Sequence, residues 1–186
     1  MLQKLNAKEH TVPFRGYFTI KRIHPGKIHK NDVEDYGFGP LSNIDHAFMK
    51  KSLTIKMHEH VNDEILSYVL KGTSYHRDSA GLEDTIKKGR LMMMNAGESF
   101  WHEEKAKSED IEMLQIFLRP HSSGLPPSIQ FHEKPLANEN WYVMVGPESS
   151  DAPLTVRQNA FILDAHPQSS QTLEIPSYPA LKPFLA

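Results

Sequence analysis

Two short stretches of the chain carry the residue types that bind transition metals. Residues 56–60 read Lys-Met-His-Glu-His, which sets His58 and His60 two apart, and residues 101–104 read Trp-His-Glu-Glu, which sets His102 and Glu104 two apart. On a β-strand, positions i and i+2 project from the same face, so each pair can aim at one point. One such pair among 11 histidines carries little weight. Two pairs on strands facing each other inside a barrel would converge as three neutral imidazoles and one carboxylate. That set suits a transition-metal ion and holds too much nitrogen for calcium or magnesium. A six-coordinate ion held this way keeps up to two positions for water, dioxygen or substrate, which points to chemistry as well as structure.

Strand parity also chooses between neighbouring acids. Glu104 shares a face with His102 and points inward, whereas Glu103 shares a face with Trp101 and points outward. Glu64, four residues after His60, is the rival carboxylate, as a direct ligand or as a hydrogen-bond partner of a ligand imidazole. His76 reads as part of a hairpin end in which Asp78 and Ser79 satisfy turn backbone groups, and is left out of the site. Met92, Met93 and Met94 read as core filling, and Phe100 as a pocket wall. The charged residues between Glu104 and Asp110 read as a solvated loop. His10, His24, His29, His46, His121, His132 and His166 have no partner at ligand spacing and read as surface residues.

The elements that must position these side chains are short and rich in β-branched and aromatic residues: 17–20, 65–70, 91–94, 111–118, 141–145 and 161–163. Gly72, residues 79–81, Gly89 and residues 95–97 recur between them as turns expected to close successive antiparallel strands, an all-β meander whose barrel wall runs from Met57 to Leu118. A single short helix is expected between Pro25 and Lys50. Ten of the 13 prolines lie from Pro120 onward, and residues 120–135 read as a connector without regular structure. A few further strands are expected from 138 to 175.

Composition narrows the function classes. The 186 residues suit one domain with an appendage, and 39% hydrophobic with 24% charged residues is ordinary for a folded globular protein. A formal charge of -2, with basic residues scattered, implies no nucleic-acid partner. Zero cysteines exclude disulfides, thiolate metal sites and cysteine nucleophiles, and point to a cytoplasmic location. The N-terminal residues have neither a signal-peptide core nor a membrane span, so no membrane association is expected.

The order and spacing of His58-x-His60-x-x-x-Glu64, Ser67-Tyr68-Val69-Leu70-x-Gly72, His76-x-Asp78-Ser79-x-Gly81, Gly89, Met94-x-Ala96-Gly97 and His102-x-Glu104 resemble the pirin family of the cupin superfamily. Asp63 after the H-x-H motif, and Gln115-Ile116-Phe117 followed by Pro120 and Gly124, are similar to bacterial pirin-like proteins with quercetinase activity. The resemblance implies a cupin-type antiparallel β-barrel (double-stranded β-helix, or jelly roll) over residues 1–135, with residues 136–186 as the remnant of a C-terminal cupin domain packed on the first barrel or on a partner chain. It implies His58, His60, His102 and Glu104 as metal ligands, with Fe2+ as the ion and Cu2+, Ni2+, Mn2+, Co2+ or Zn2+ as alternatives. The activity implied is a quercetin 2,3-dioxygenase-like oxidation of a flavonol by dioxygen, in which Glu104 is both ligand and proton acceptor. The alternatives are a non-enzymatic metal-dependent redox sensor that binds a protein partner, and a degenerate barrel of little activity. Strand edges left open by a partial second barrel would be covered in a homodimer.

Overall fold

The computed structural model of the protein describes residues 3–5, 12–13, 15–29 and 35–186. Ten strands form one strongly curled antiparallel sheet: β1 (Phe18–Ile23), β2 (Leu41–Met49), β3 (Thr54–His60), β4 (Glu64–Lys71), β5 (Thr73–Asp78), β6 (Glu83–Lys87), β7 (Arg90–Asn95), β8 (Phe100–Ala106), β9 (Ile111–Leu118) and β10 (Ser128–Glu133). Their order is β1-β2-β9-β4-β7-β6-β5-β8-β3, with β10 on the free side of β7. The sheet turns its corner between β6 and β7, which share only the Lys87–Arg90 pairing.

This order corrects the meander. Gly89 and the 79–81 turn do join neighbouring strands, β6 to β7 and β5 to β6, but Gly72 and Gly97 sit on crossings between the two halves of the sheet. Both glycines have positive φ, +83° and +58°, and both meet foreign backbone where a Cβ would stand, at residues 110–111 and 125–127 respectively. A left-handed residue with no side chain is what such a crossing requires.

Two further expectations change. Among the described residues between Pro25 and Lys50 the helix is only a 3-10 turn, Pro25–His29, and Leu41–Met49 forms the nine-residue strand β2. Alternation in β2 is hidden because Asp45 is buried yet polar, held by Arg22 through two bonds of 2.7 and 2.6 Å. The supposed connector also contains a strand, β10, whose alternating Ile129 and Phe131 pack on the barrel core despite the flanking prolines.

Inward residues from both halves form one core: Ile20, Ala47, Met49, Ile65, Val69, Ile86, Met92, Met94, Phe100, Ala106, Ile111 and Met113. A second cluster covers the outer face of β4, β7 and β9. There Leu66, Leu91, Met93 and Leu118 meet a 3-stranded sheet of β11 (Tyr142–Pro147), β12 (Leu154–Val156) and β13 (Ile162–Asp164), through Met144, Val145, Leu154 and Val156. Strands covered on both faces need apolar residues at every position, which explains the run of three methionines: Met92 and Met94 face the barrel and Met93 faces the added sheet. A buried ionic clasp ties the two sheets together, since Arg157 donates to Glu64 through its backbone N (3.0 Å) and Nε (2.8 Å). Among the described residues no helix is long and apolar enough to cross a membrane.

Candidate metal centre

β3 and β8 pair antiparallel at one end of the curled sheet, and the ladder sets His58 directly opposite His102 and His60 opposite Phe100. The ladder is not regular. Ile55 pairs with Glu104 and His58 with His102, so Lys56 and Met57 together oppose Glu103, a one-residue bulge. Were the ladder regular beyond Ile55, His58 would fall opposite Trp101, on the outer face. The bulge also uses the Lys56 carbonyl, which accepts a bond of 2.9 Å from Nδ1 of His58.

The three imidazoles gather closely. One ligand nitrogen from each of His58, His60 and His102 lies within 4.8 Å of the others, the one group among the described residues able to share an ion. Ring centroids are 4.5 Å apart for His58 and His102, and 5.0 Å for His58 and His60. The tautomers of two rings follow from their partners. The Lys56 carbonyl and the Asp63 carboxylate, 3.0 Å from Nδ1 of His60, can only accept, so Nδ1 carries the proton in both rings and Nε2 presents a lone pair. Nε2 of His102 is buried with no hydrogen-bond partner, which leaves its bonding capacity unspent.

The electrostatics favour neutral rings. Burial pushes His102 down to about 2, with the nearby His58, His60 and His76 adding to the effect. Burial also lowers His58, against the bond to Lys56, and His76, against the pull of Asp78. Neutral imidazole is the form that binds a metal.

Glu104 is 1% exposed, on the His102 face of β8, opposite Ile55 on one side and His76 on the other. Burial raises its carboxyl to about 7, with His60 pulling the other way, and Oε1 has no hydrogen-bond partner. It lies outside the group of three close-set nitrogens, although it shares their face. Glu103 points outward to Lys105 (2.7 Å) and Arg77 (3.3 Å). Glu64, the rival carboxylate, is fully buried and occupied by Arg157 and Asn95. A lone carboxylate beside three imidazoles, with orphaned buried atoms on His102 and Glu104, fits a divalent transition ion.

His76 differs from its sequence reading. Asp78 does cap the turn, accepting from Ala80 N and Leu82 N, but His76 itself is buried with its ring 5.3 Å from that of His102. The signal was present as a third i, i+2 pair, His76-x-Asp78, with the period of the other two. Of the remaining histidines, His46 pairs with Glu112 (2.8 Å) and His132 with the Tyr142 hydroxyl (2.6 Å), both half-buried, while His121 and His166 are exposed. His10 and the His29 side chain lie outside the described residues.

Comparison with known proteins places this geometry. The family model described as Pirin matches residues 3–118. Quercetin 2,3-dioxygenase of Escherichia coli (strain K12) is 27% identical over 152 residues, covering 81% of this chain and 60% of the relative. The crystal structure of YhhW from Escherichia coli superposes with a TM-score of 0.72 at 24% identity, over 85% of this chain and 68% of that one. The same bacterial pirin in complex with nickel(II) gives 0.70 at 24% identity, over 84% and 68%. These likenesses, with the curled antiparallel sheet, make the fold a cupin-type β-barrel. The chain spans between 44% and 70% of the length of the curated relatives it matches, and 60% of the Escherichia coli quercetin 2,3-dioxygenase.

Proposed function

The chain belongs to the pirin family, and from that premise we propose that it is a metal-dependent dioxygenase acting on a flavonol such as quercetin, with His58, His60, His102 and Glu104 holding one divalent ion. The observation that carries this reading is the convergence of three imidazoles, two of them with Nδ1 held by an acceptor so that Nε2 is left for the ion, on the inner face of the β3–β8 pair. Its substrate side rests on relatives named quercetin 2,3-dioxygenase at 27% identity. The ion is proposed as Fe2+. The nickel(II) complex of the E. coli pirin supports Ni2+ as a second occupant, and three imidazoles with a carboxylate suit both.

A bound ion would supply Lewis acidity that lowers the pKa of a coordinated substrate hydroxyl, and a redox-active centre for dioxygen chemistry. The residues of the chain do the rest. Asp63 and the Lys56 carbonyl hold two ligand rings in the required tautomer. Glu104, buried on the His102 face and ionised beside the ion it would help to hold, is the acceptor placed to take the hydroxyl proton. Phe100, buried with its ring 6.4 Å from that of His102, and Phe117, 6.2 Å from His60, put apolar surface beside the rings. In the same reading residues 1–135 are the metal-bearing cupin unit and residues 136–186 belong to a second one, a division supported by the separate sheet of β11, β12 and β13.

The test is aerobic loss of quercetin absorbance with the iron- or nickel-loaded chain, run beside Glu104→Ala and an oxygen-free control. Oxygen-dependent turnover that falls at least about 100-fold in Glu104→Ala is the expected result. A chain that retains its ion and leaves quercetin untouched refutes the dioxygenase reading.

A further inference from the structure

His58 and His60 each lock their tautomer against an acceptor that carries no proton. His102 has no such acceptor. Its Nδ1 lies 3.4 Å from Nδ1 of His76, and both rings are 2% exposed. Two imidazole nitrogens facing each other share one proton, so one ring donates and the other accepts. The two choices have opposite consequences. If His76 donates, the proton of His102 sits on Nε2, and that atom cannot ligate a metal. If His102 donates, its Nε2 carries a lone pair, and His76 keeps its own proton on Nε2.

What lies beyond His76 decides between them. Oδ2 of Asp78 stands 3.9 Å from Nε2 of His76. Asp78 is fixed in place, because its other oxygen accepts from the backbone N of Ala80 (2.9 Å) and of Leu82 (3.0 Å). At 3.9 Å the contact is longer than a hydrogen bond, but a buried carboxylate lowers the energy of an N–H facing it and raises that of a lone pair. His76 is therefore driven to carry its proton on Nε2 and to present Nδ1 as an acceptor. The order of the ladder makes the chain compact: Asp78 pairs with His102 across β5 and β8, and His76 pairs with Glu104 one repeat further on.

We propose that His76 is a positioning residue which, oriented by Asp78, accepts the Nδ1–H of His102 and so holds the Nε2 lone pair of His102 toward the ion. The role of this lone pair rests on the metal reading above, whereas the tautomer itself is a property of the metal-free chain. The three ligand imidazoles then share one device in three forms, a bulge carbonyl for His58, a carboxylate for His60 and an imidazole relay for His102.

The experiment uses the full chain with histidines labelled by nitrogen-15, freed of metal with a chelator near pH 8, and reads each ring's tautomer from two-bond proton–nitrogen correlations. Expected are Nδ1–H for His102 and Nε2–H for His76. His76→Phe keeps a ring but removes the acceptor; His102 then shifts to Nε2–H or a mixture, and Ni2+ affinity by calorimetry falls about 10–100-fold. His76→Asn, whose amide oxygen can stand where Nδ1 stood, restores Nδ1–H and most of the affinity. Asp78→Asn, which can still accept from the turn but loses the charge, mixes the tautomers of His102 and serves if His76→Phe does not fold. An Nε2–H His102 in the native chain, or a tautomer unchanged in His76→Phe, overturns the proposal. Should the native chain show the expected tautomers, lose them in His76→Phe and yet bind no Ni2+, the metal reading fails and the positioning role stands.

Discussion

Replacing Glu104 by glutamine should make the metal-free chain more stable at alkaline pH. The carboxyl is 1% exposed, and burial raises it from 4.5 to about 7. A carboxyl raised in the folded state binds more proton there than when unfolded, so its effect is absent below 4.5, grows as pH rises toward 7 and is then constant. Over that window it removes stability. Between about pH 5 and pH 8 the loss is roughly 2–3 kcal/mol at 1.36 kcal/mol per unit. Glutamine has the shape of the protonated acid and does not titrate. Native and Glu104→Gln chains should therefore lie within about 1 kcal/mol of each other at pH 5, and the variant should lead by roughly 2–3 kcal/mol at pH 8. His102, lowered to about 2, acts in the opposite direction by costing stability as pH falls below 6.5, but it is common to both chains and cancels in the comparison. Urea unfolding at several pH values in the presence of chelator measures the difference. Added Ni2+ should close most of the gap at pH 8, because an ion held more tightly by the native chain and only in its folded state stabilises it by about 2.7 kcal/mol at 100 times its dissociation constant, about the size of the variant's lead. Parallel stability–pH curves for the two chains would refute the assignment of an uncompensated, buried carboxyl at this position.

Other perturbations follow from the same packing. Arg157→Ala leaves Glu64 buried with its charge opposed only by Asn95 and a backbone N–H, and should cost about 3 kcal/mol in urea unfolding, whereas a loss under about 1 kcal/mol would show the clasp to be incidental. Gly97→Ala forces a side chain into a φ of +58° and against the backbone at 125–127. It should cost at least about 2 kcal/mol by the same assay, while Gly81→Ala, with a positive φ but open space around it, should cost visibly less.

How far the sequence foretold this structure depended on whether a residue's face could be read from its neighbours. β9 was recognised end to end, because Ile111 to Leu118 is an apolar run broken only by Glu112 and Gln115, and parity alone set Glu104 on the face of His102 and Glu103 on the other, toward Lys105 and Arg77. β2 and β10 were missed, since buried Asp45 and the flanking prolines broke the apolar pattern that marks a strand. Strand order was beyond local reading: Gly72 and Gly97 look the same in sequence whether they end a hairpin or a crossing, and only long-range pairing tells these apart. The i, i+2 rule drew His58, His60 and His102 to one place, but it did not foresee the bulge at Lys56 and Met57 on which the facing of His58 depends. His76 escaped because its neighbour Asp78 has a sufficient local role in the turn, and a cap explains an aspartate equally well whether or not an imidazole lies behind it.

The most direct measurement of the central claim is metal content. The chain, stripped of metal, loaded with Fe2+ or Ni2+ under argon and dialysed, is assayed by plasma mass spectrometry beside His58→Ala and His102→Ala chains whose folding is checked by circular dichroism. Three imidazoles within 4.8 Å of one another should retain about one ion per chain, and each folded variant should retain close to none. A native chain that loses its ion on dialysis, or folded variants that keep it, would contradict a metal centre at His58, His60 and His102.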